Sequence, residues 1–89
     1  MTEACLEVTF RRGVAIAAYY YFPRKAGEKN VRSTVVAPGI VVDYARDGRP
    51  IGIEIIEPKQ ITLRKFNRIL RGLGLPATTK QELAPLTVA

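Results

Sequence analysis

The sequence predicts an α+β protein: a small, mainly antiparallel sheet of four to five strands with one C-terminal amphipathic helix packed on it. Three observations predict it. The first 58 residues read as short apolar runs broken by Gly, Pro and Asn, the signature of strands and turns. Asp47-Gly48 sits between two hydrophobic runs, Ile40–Tyr44 and Ile51–Ile56, as a hairpin turn does. Leu63, Phe66, Ile69, Leu70 and Leu73 then recur at the 3.6-residue period of a helix with one buried face. At 89 residues the chain reads as a single domain over 1–89, strand-rich to residue 58 and helical from 59 to 89.

Leu6 to Phe10 alternates apolar and polar, as a strand with one buried face does. Arg11-Arg12-Gly13 supplies a turn, with Gly13 free to take positive φ. Val14 to Phe22 is continuously apolar or aromatic and ends in Tyr19-Tyr20-Tyr21-Phe22. Its length fits a strand covered on both faces, or one whose tyrosines give an outer face polar tips; a short buried helix is the competing reading. Pro23 to Asn30 is a charged loop. Val31 to Ala37 reads as a further strand broken by Pro38-Gly39, with Pro38 at its end or on an edge.

A two-residue Asp47-Gly48 turn requires positive φ at both positions and fixes the register. Tyr44 then faces Ile51, Val42 faces Ile53 and Ile40 faces Ile55, so these six apolar side chains share one side. Pro58 ends the last strand. The helix runs from about Thr62 to Leu73, with Thr62 as N-cap and Gly74 in a left-handed C-terminal cap. Thr79-Lys80-Gln81-Glu82 fits a capping box for a short helical turn before Pro85.

Composition excludes several classes of function. With 47% hydrophobic and 25% charged residues the chain is globular, not disordered. There is no histidine or tryptophan and one cysteine, Cys5. The sequence therefore offers no catalytic imidazole, no Cys/His zinc cage, no Ser-His-Asp triad and no internal disulfide framework. Cys5 reads as a small hydrophobe at a strand start. The formal charge of +6 raises the local concentration of anionic partners without choosing among them. Residues 1–5 lack a signal-peptide pattern, and Val14–Phe22 falls short of the about 20 apolar residues a membrane span needs. The expectation is a cytoplasmic protein with no membrane partner.

Two constellations carry candidate chemistry. In the expected register Asp43 pairs with Gly52 and Glu54 with Val41, which puts the two acids diagonally on one face, about 7–8 Å apart at the backbone. Functionally they are a paired acid and base, or part of a divalent-metal site. Two carboxylates without a third ligand support a solvated or arginine-paired face better, so neither catalytic residue, metal nor cofactor is assigned. Gly52, opposite Asp43, admits a close neighbour or eases twist.

The second constellation is the basic helix. Five positive residues and no acid lie between Lys59 and Arg71. Arg64, Lys65, Arg68 and Arg71 fall opposite the apolar stripe, and Arg64, Arg68 and Arg71 share a spacing able to track phosphates. The plainer reading is a solvated face whose later positives complement the helix dipole. Tyr19, Tyr20 and Tyr21 are candidate interface residues, because an open sheet this small has edges to pair. Self-association is expected.

Pro38-Gly39-Ile40-Val41-Val42-Asp43-Tyr44, followed by Asp47-Gly48-Arg49-Pro50-Ile51-Gly52-Ile53-Glu54-Ile55, resembles the core pattern of the domain of unknown function 2283 family. The resemblance covers the hairpin segment Gly39–Ile55: a Gly-hydrophobic-hydrophobic-Asp-Tyr strand, an acidic-Gly turn and a Gly-Ile-Glu-Ile strand. Outside it, Phe10-Arg11-Arg12 and Tyr19-Tyr20-Tyr21 match only loosely, with arginines where the family has acids, and the helical third looks like an addition. The resemblance implies a small bacterial protein with a non-enzymatic, partner-binding role, antitoxin-like by the association of some members with small toxin-like genes. The expected function is thus a small interaction module that self-associates and binds a small protein partner, with nucleic-acid binding through Arg64–Arg71 as the alternative.

Overall fold

A computed structural model of the chain describes residues 4–87; positions 1–3 and 88–89, the ends of the expected 1–89 domain and part of the segment read for a signal peptide, lie outside the described residues. Five strands, β1 (Cys5–Arg11), β2 (Val14–Tyr21), β3 (Arg32–Ala37), β4 (Ile40–Tyr44) and β5 (Pro50–Ile55), form one antiparallel sheet in the order β1-β2-β5-β4-β3. A 3-10 turn (Pro58–Gln60), helix α1 (Leu63–Gly72) and helix α2 (Lys80–Thr87) follow.

One face of the sheet is the core. Tyr20, Ile40, Val42, Ile53 and Ile55 meet Phe66 and Leu70 of α1 and Leu83 and Leu86 of α2. Phe66 and Leu70 are wholly buried, and the Tyr20 ring meets the Phe66 ring edge-on at 5.1 Å. The helices supply what the sheet lacks, because a small sheet with one apolar face is marginal in water until that face is covered.

The hairpin holds its register with one correction. Val42 pairs Ile53 and Ile40 pairs Ile55 as expected, but Tyr44 pairs Pro50 and not Ile51, across a bulge between Asp43 and Tyr44. The turn explains it. Gly48 donates its N–H to the Ala45 carbonyl, and Ala45 donates to that of Arg49. Among the turn residues only Gly48 has positive φ. This is a four-residue turn over Ala45–Gly48 whose last residue is left-handed, not a two-residue turn with both residues left-handed. The bulge absorbs the difference in length, so the core residues keep their partners. Two consecutive positive φ values occur instead between β1 and β2, at Arg12 and Gly13.

Other elements follow their local chemistry. Val14–Tyr21 is a strand, and its tyrosines split between faces, so neither the buried helix nor a strand covered on both sides is formed. Thr62 caps α1 by accepting the Lys65 N–H at 3.1 Å. At the other end Gly74 takes φ 74° and Leu75 donates to the Leu70 carbonyl, which satisfies the last turn. Helix α2 starts at the expected Thr79 cap but runs through Pro85 to Thr87, where a stop before Pro85 was expected. Burial of Leu83 and Leu86 on either side of the proline holds that turn in place. Cys5 stands at the exposed start of β1, not in the core.

Candidate functional site

The second face of the sheet carries no covering helix. Strand parity and cross-strand register place Tyr19 and Tyr21 of β2, Gly52 and Glu54 of β5, Asp43 of β4 and Ser33 of β3 on it. Its centre is Asp43. Although charged, Asp43 is 7% exposed. Its Oδ2 accepts from the Tyr19 hydroxyl at 2.6 Å, and its Oδ1 accepts from the Ser33 hydroxyl at 2.6 Å. A carboxylate removed from water needs donors in exchange, and two short O–H···O⁻ bonds provide them.

Gly52 makes the arrangement possible. A Cβ at this position would overlap the Tyr19 ring at its hydroxyl, Cε1 and Cζ atoms. The ring therefore lies across β5 at its bare position and reaches from β2 to Asp43 on β4. Of the two roles open to Gly52 from the sequence, the structure supports close approach. The Tyr21 ring lies 4.5 Å from that of Tyr19, and the Arg24 guanidinium stands 5.3 Å from the Tyr21 centroid while donating to the Ile51 carbonyl. Burial pushes the Tyr19 hydroxyl up to about 12, its hydrogen bond to Asp43 and that carboxylate's charge add to the rise, and Arg24 opposes it.

The two acids occupy the expected diagonal, Asp43 opposite Gly52 and Glu54 opposite Val41. Their environments differ: Asp43 is buried and doubly hydrogen-bonded, while Glu54 is exposed. Hydroxyls, not the expected arginines, satisfy Asp43; among the described residues neither acid forms an ion pair. The ion pairs lie at the hairpin end, where Arg49 joins Asp47 at 2.9 Å and also Glu28. The Glu28 carboxyl is held below its usual range, first by the Lys25 backbone N–H and then by Arg49.

The three tyrosines separate. Tyr20 is 5% exposed and belongs to the core, not to a contact surface, whereas Tyr19 and Tyr21 lie half-buried on the open face. Arg64, Lys65, Arg68 and Arg71 are all exposed on α1, away from Phe66 and Leu70, and none is ion-paired among the described residues. They stand on the helix that covers the core face, so the structure does not bring them to the open face with Asp43. Ser33 was missed because its strand had no fixed register in the sequence. Asn67 was missed too: its side chain donates to the Thr78 carbonyl at 3.2 Å and accepts the Thr78 N–H at 2.8 Å, tying the connection before α2 to α1.

At the sheet rim, β3 exposes Arg32 through Val36, and Val35 is 69% exposed. No helix of the described residues is long and apolar enough to cross a membrane. Residues 17–57, which run from β2 to the residue before the 3-10 turn, match a family model described as protein of unknown function (DUF2283). The matched segment contains Tyr19, Ser33, Asp43 and Gly52 and leaves out β1 and both helices. No curated protein and no solved structure gives a significant match.

Proposed function

We propose from the geometry a non-enzymatic protein-interaction module that self-associates through its β3 edge; the family model that residues 17–57 match is itself described as of unknown function. The supporting observation is the rim strand: Arg32–Val36 is exposed, Val35 above all, and Ser33 to Ala37 carries no charge. An exposed apolar edge presents unpaired backbone groups to another strand. The occupant proposed is a second copy of this chain. Antiparallel pairing of two β3 strands about a two-fold axis brings neutral residues together, which lets a chain of charge +6 associate with itself. The opposite edge, β1, carries Glu7 and Arg11 and is blunted by comparison.

Such pairing extends the open face into one larger surface, on which Tyr19 and Tyr21 offer rings with polar tips to a protein partner. An antitoxin-like role in the cytoplasm puts a small protein there; a stoichiometric partner is then expected to co-purify on tagged pull-down from the native host, and a lone protein would count against it. Engagement of the Asp43 carboxylate by two hydroxyls favours binding over acid–base work at that position. Light scattering across micromolar concentrations is expected to give twice the chain mass, and Val35→Lys to give a monomer with unchanged circular dichroism. A monomer throughout, or a Val35→Lys dimer as tight as the parent, overturns the reading.

The exposed Arg64, Arg68 and Arg71 support a second reading, nucleic-acid binding. Affinity must then fall by about 0.7–0.9 log units per phosphate contacted for each tenfold rise in salt. A flat titration, or unchanged affinity after all three are replaced by Gln, removes it.

A further inference from the structure

The core face is not sealed everywhere. Between α1 and the β3–β4 turn an open cavity of about 760 Å³ enters from the surface. Its floor is Ile40, Ile55 and Ile61, all buried, and its mouth exposes Val36 and Ile56 at 41% and 50%. Lys65 and Arg68 form the helix wall together with Ile69, one turn from Lys65 and adjacent to Arg68. Glu57 and Gln60 complete the polar rim.

Three properties define the occupant. The volume falls within the about 300–1,000 Å³ of small-molecule sites. The lining is mainly aliphatic, so it favours a tail that cannot hydrogen-bond. The rim holds two cations against one carboxylate, and neither Lys65 nor Arg68 is ion-paired among the described residues, so an anion is favoured at the mouth. Exposed helix arginines alone would suit any polyanion, but two cations over an isoleucine floor select a single charge joined to an apolar body. We propose that this groove binds a single-chain amphipathic anion, with its aliphatic tail on Ile40, Ile55 and Ile61 and its carboxylate or phosphate head at Lys65 and Arg68. The site lies on the helix-covered side of the sheet and does not depend on the reading of the open face.

The test is calorimetry on the whole chain with decanoate, decyltrimethylammonium and butyrate, each below its micellar concentration. Decanoate is expected to bind saturably at one per chain, decyltrimethylammonium at least tenfold more weakly, and butyrate without saturation. In Lys65→Gln/Arg68→Gln decanoate affinity should fall about tenfold or more and the preference for the anionic head should vanish. Ile56→Ser should weaken both ten-carbon ligands. All three positions are exposed or at the rim, and amide shifts on decanoate addition to the unaltered chain, centred on Ile56, Ile61 and Ile69, provide a readout that needs no variant. Equal binding of the two head groups, shifts elsewhere in the chain, or no saturable decanoate binding overturns the proposal.

Discussion

Replacing Gly52 by alanine tests how the open face is built. The new Cβ falls within the Tyr19 ring, so the ring must leave its place across β5. Its hydroxyl then loses the 2.6 Å bond to Asp43, which keeps only Ser33 as donor while staying buried. A hydrogen bond to a charged group contributes about 1.5–3 kcal/mol, and overpacking costs about 1–3 kcal/mol. Alanine's lower backbone entropy in the unfolded chain returns about 0.5–1 kcal/mol. The net expected loss is about 1.5–5.5 kcal/mol, against about 4–13 kcal/mol of total stability for a chain of 89 residues. Urea unfolding followed by far-ultraviolet circular dichroism measures it without a tryptophan signal, which this chain lacks. The control is the same substitution in a Tyr19→Ala background, with sulfate added to keep both forms folded. With the ring gone the new methyl has room, so Gly52→Ala should then cost nothing and leave only the backbone-entropy gain of about 0.5–1 kcal/mol. Equal cost in both backgrounds would show that the ring and the glycine are not coupled, and the account of the site would fall.

Three other expectations follow from particular contacts. The Tyr19 hydroxyl titrates at about 12 in the folded chain against 10.0 ordinarily, so it stabilises the fold fully below pH 10 and that contribution is lost as pH rises from 10 through 12. Solvent screening of a half-exposed ring leaves about 1 kcal/mol; the difference between parent and Tyr19→Phe stability should shrink across that window, and a constant difference refutes the assignment. Asn67→Ala removes both bonds to the Thr78 backbone and should cost about 1–3 kcal/mol, with Leu83 and Leu86 amides exchanging hydrogen faster than before. Unchanged exchange there would mean that α2 docks through its leucines alone. Phe66→Ala should cost about 3–5 kcal/mol by thermal unfolding, since the ring is wholly buried against Tyr20; a loss below about 1 kcal/mol would show that the helix does not seal the core.

Local pattern was enough for β1, for α1 and for the pairing of β4 with β5, but it left β2 open between strand and buried helix and stopped α2 before Pro85. Period-two alternation, the Asp47-Gly48 turn and the 3.6-residue stripe of α1 are properties of neighbouring residues, and each side chain's face follows from its position alone. Even the misjudged turn left Val42 and Ile53 paired, because a one-residue slip would expose every core isoleucine of the hairpin. The diagonal of Asp43 and Glu54 followed from the same register.

What those acids do was decided by chain segments far away in sequence. Tyr19 lies 24 residues from Asp43 and Ser33 lies 10 residues from it, and only the order β2-β5-β4-β3 brings both hydroxyls to one carboxylate. Two strands flank β5, and nothing in the periodicity of β2 says that it, and not β1 or β3, takes the free side. The same holds for the groove, whose walls come from β3, β4, β5 and α1, and for Tyr20, whose burial depends on where Phe66 lands. Sequence periodicity fixes which face a residue takes within its own strand or helix; which faces meet depends on packing the whole chain at once, and there the tertiary structure alone decided.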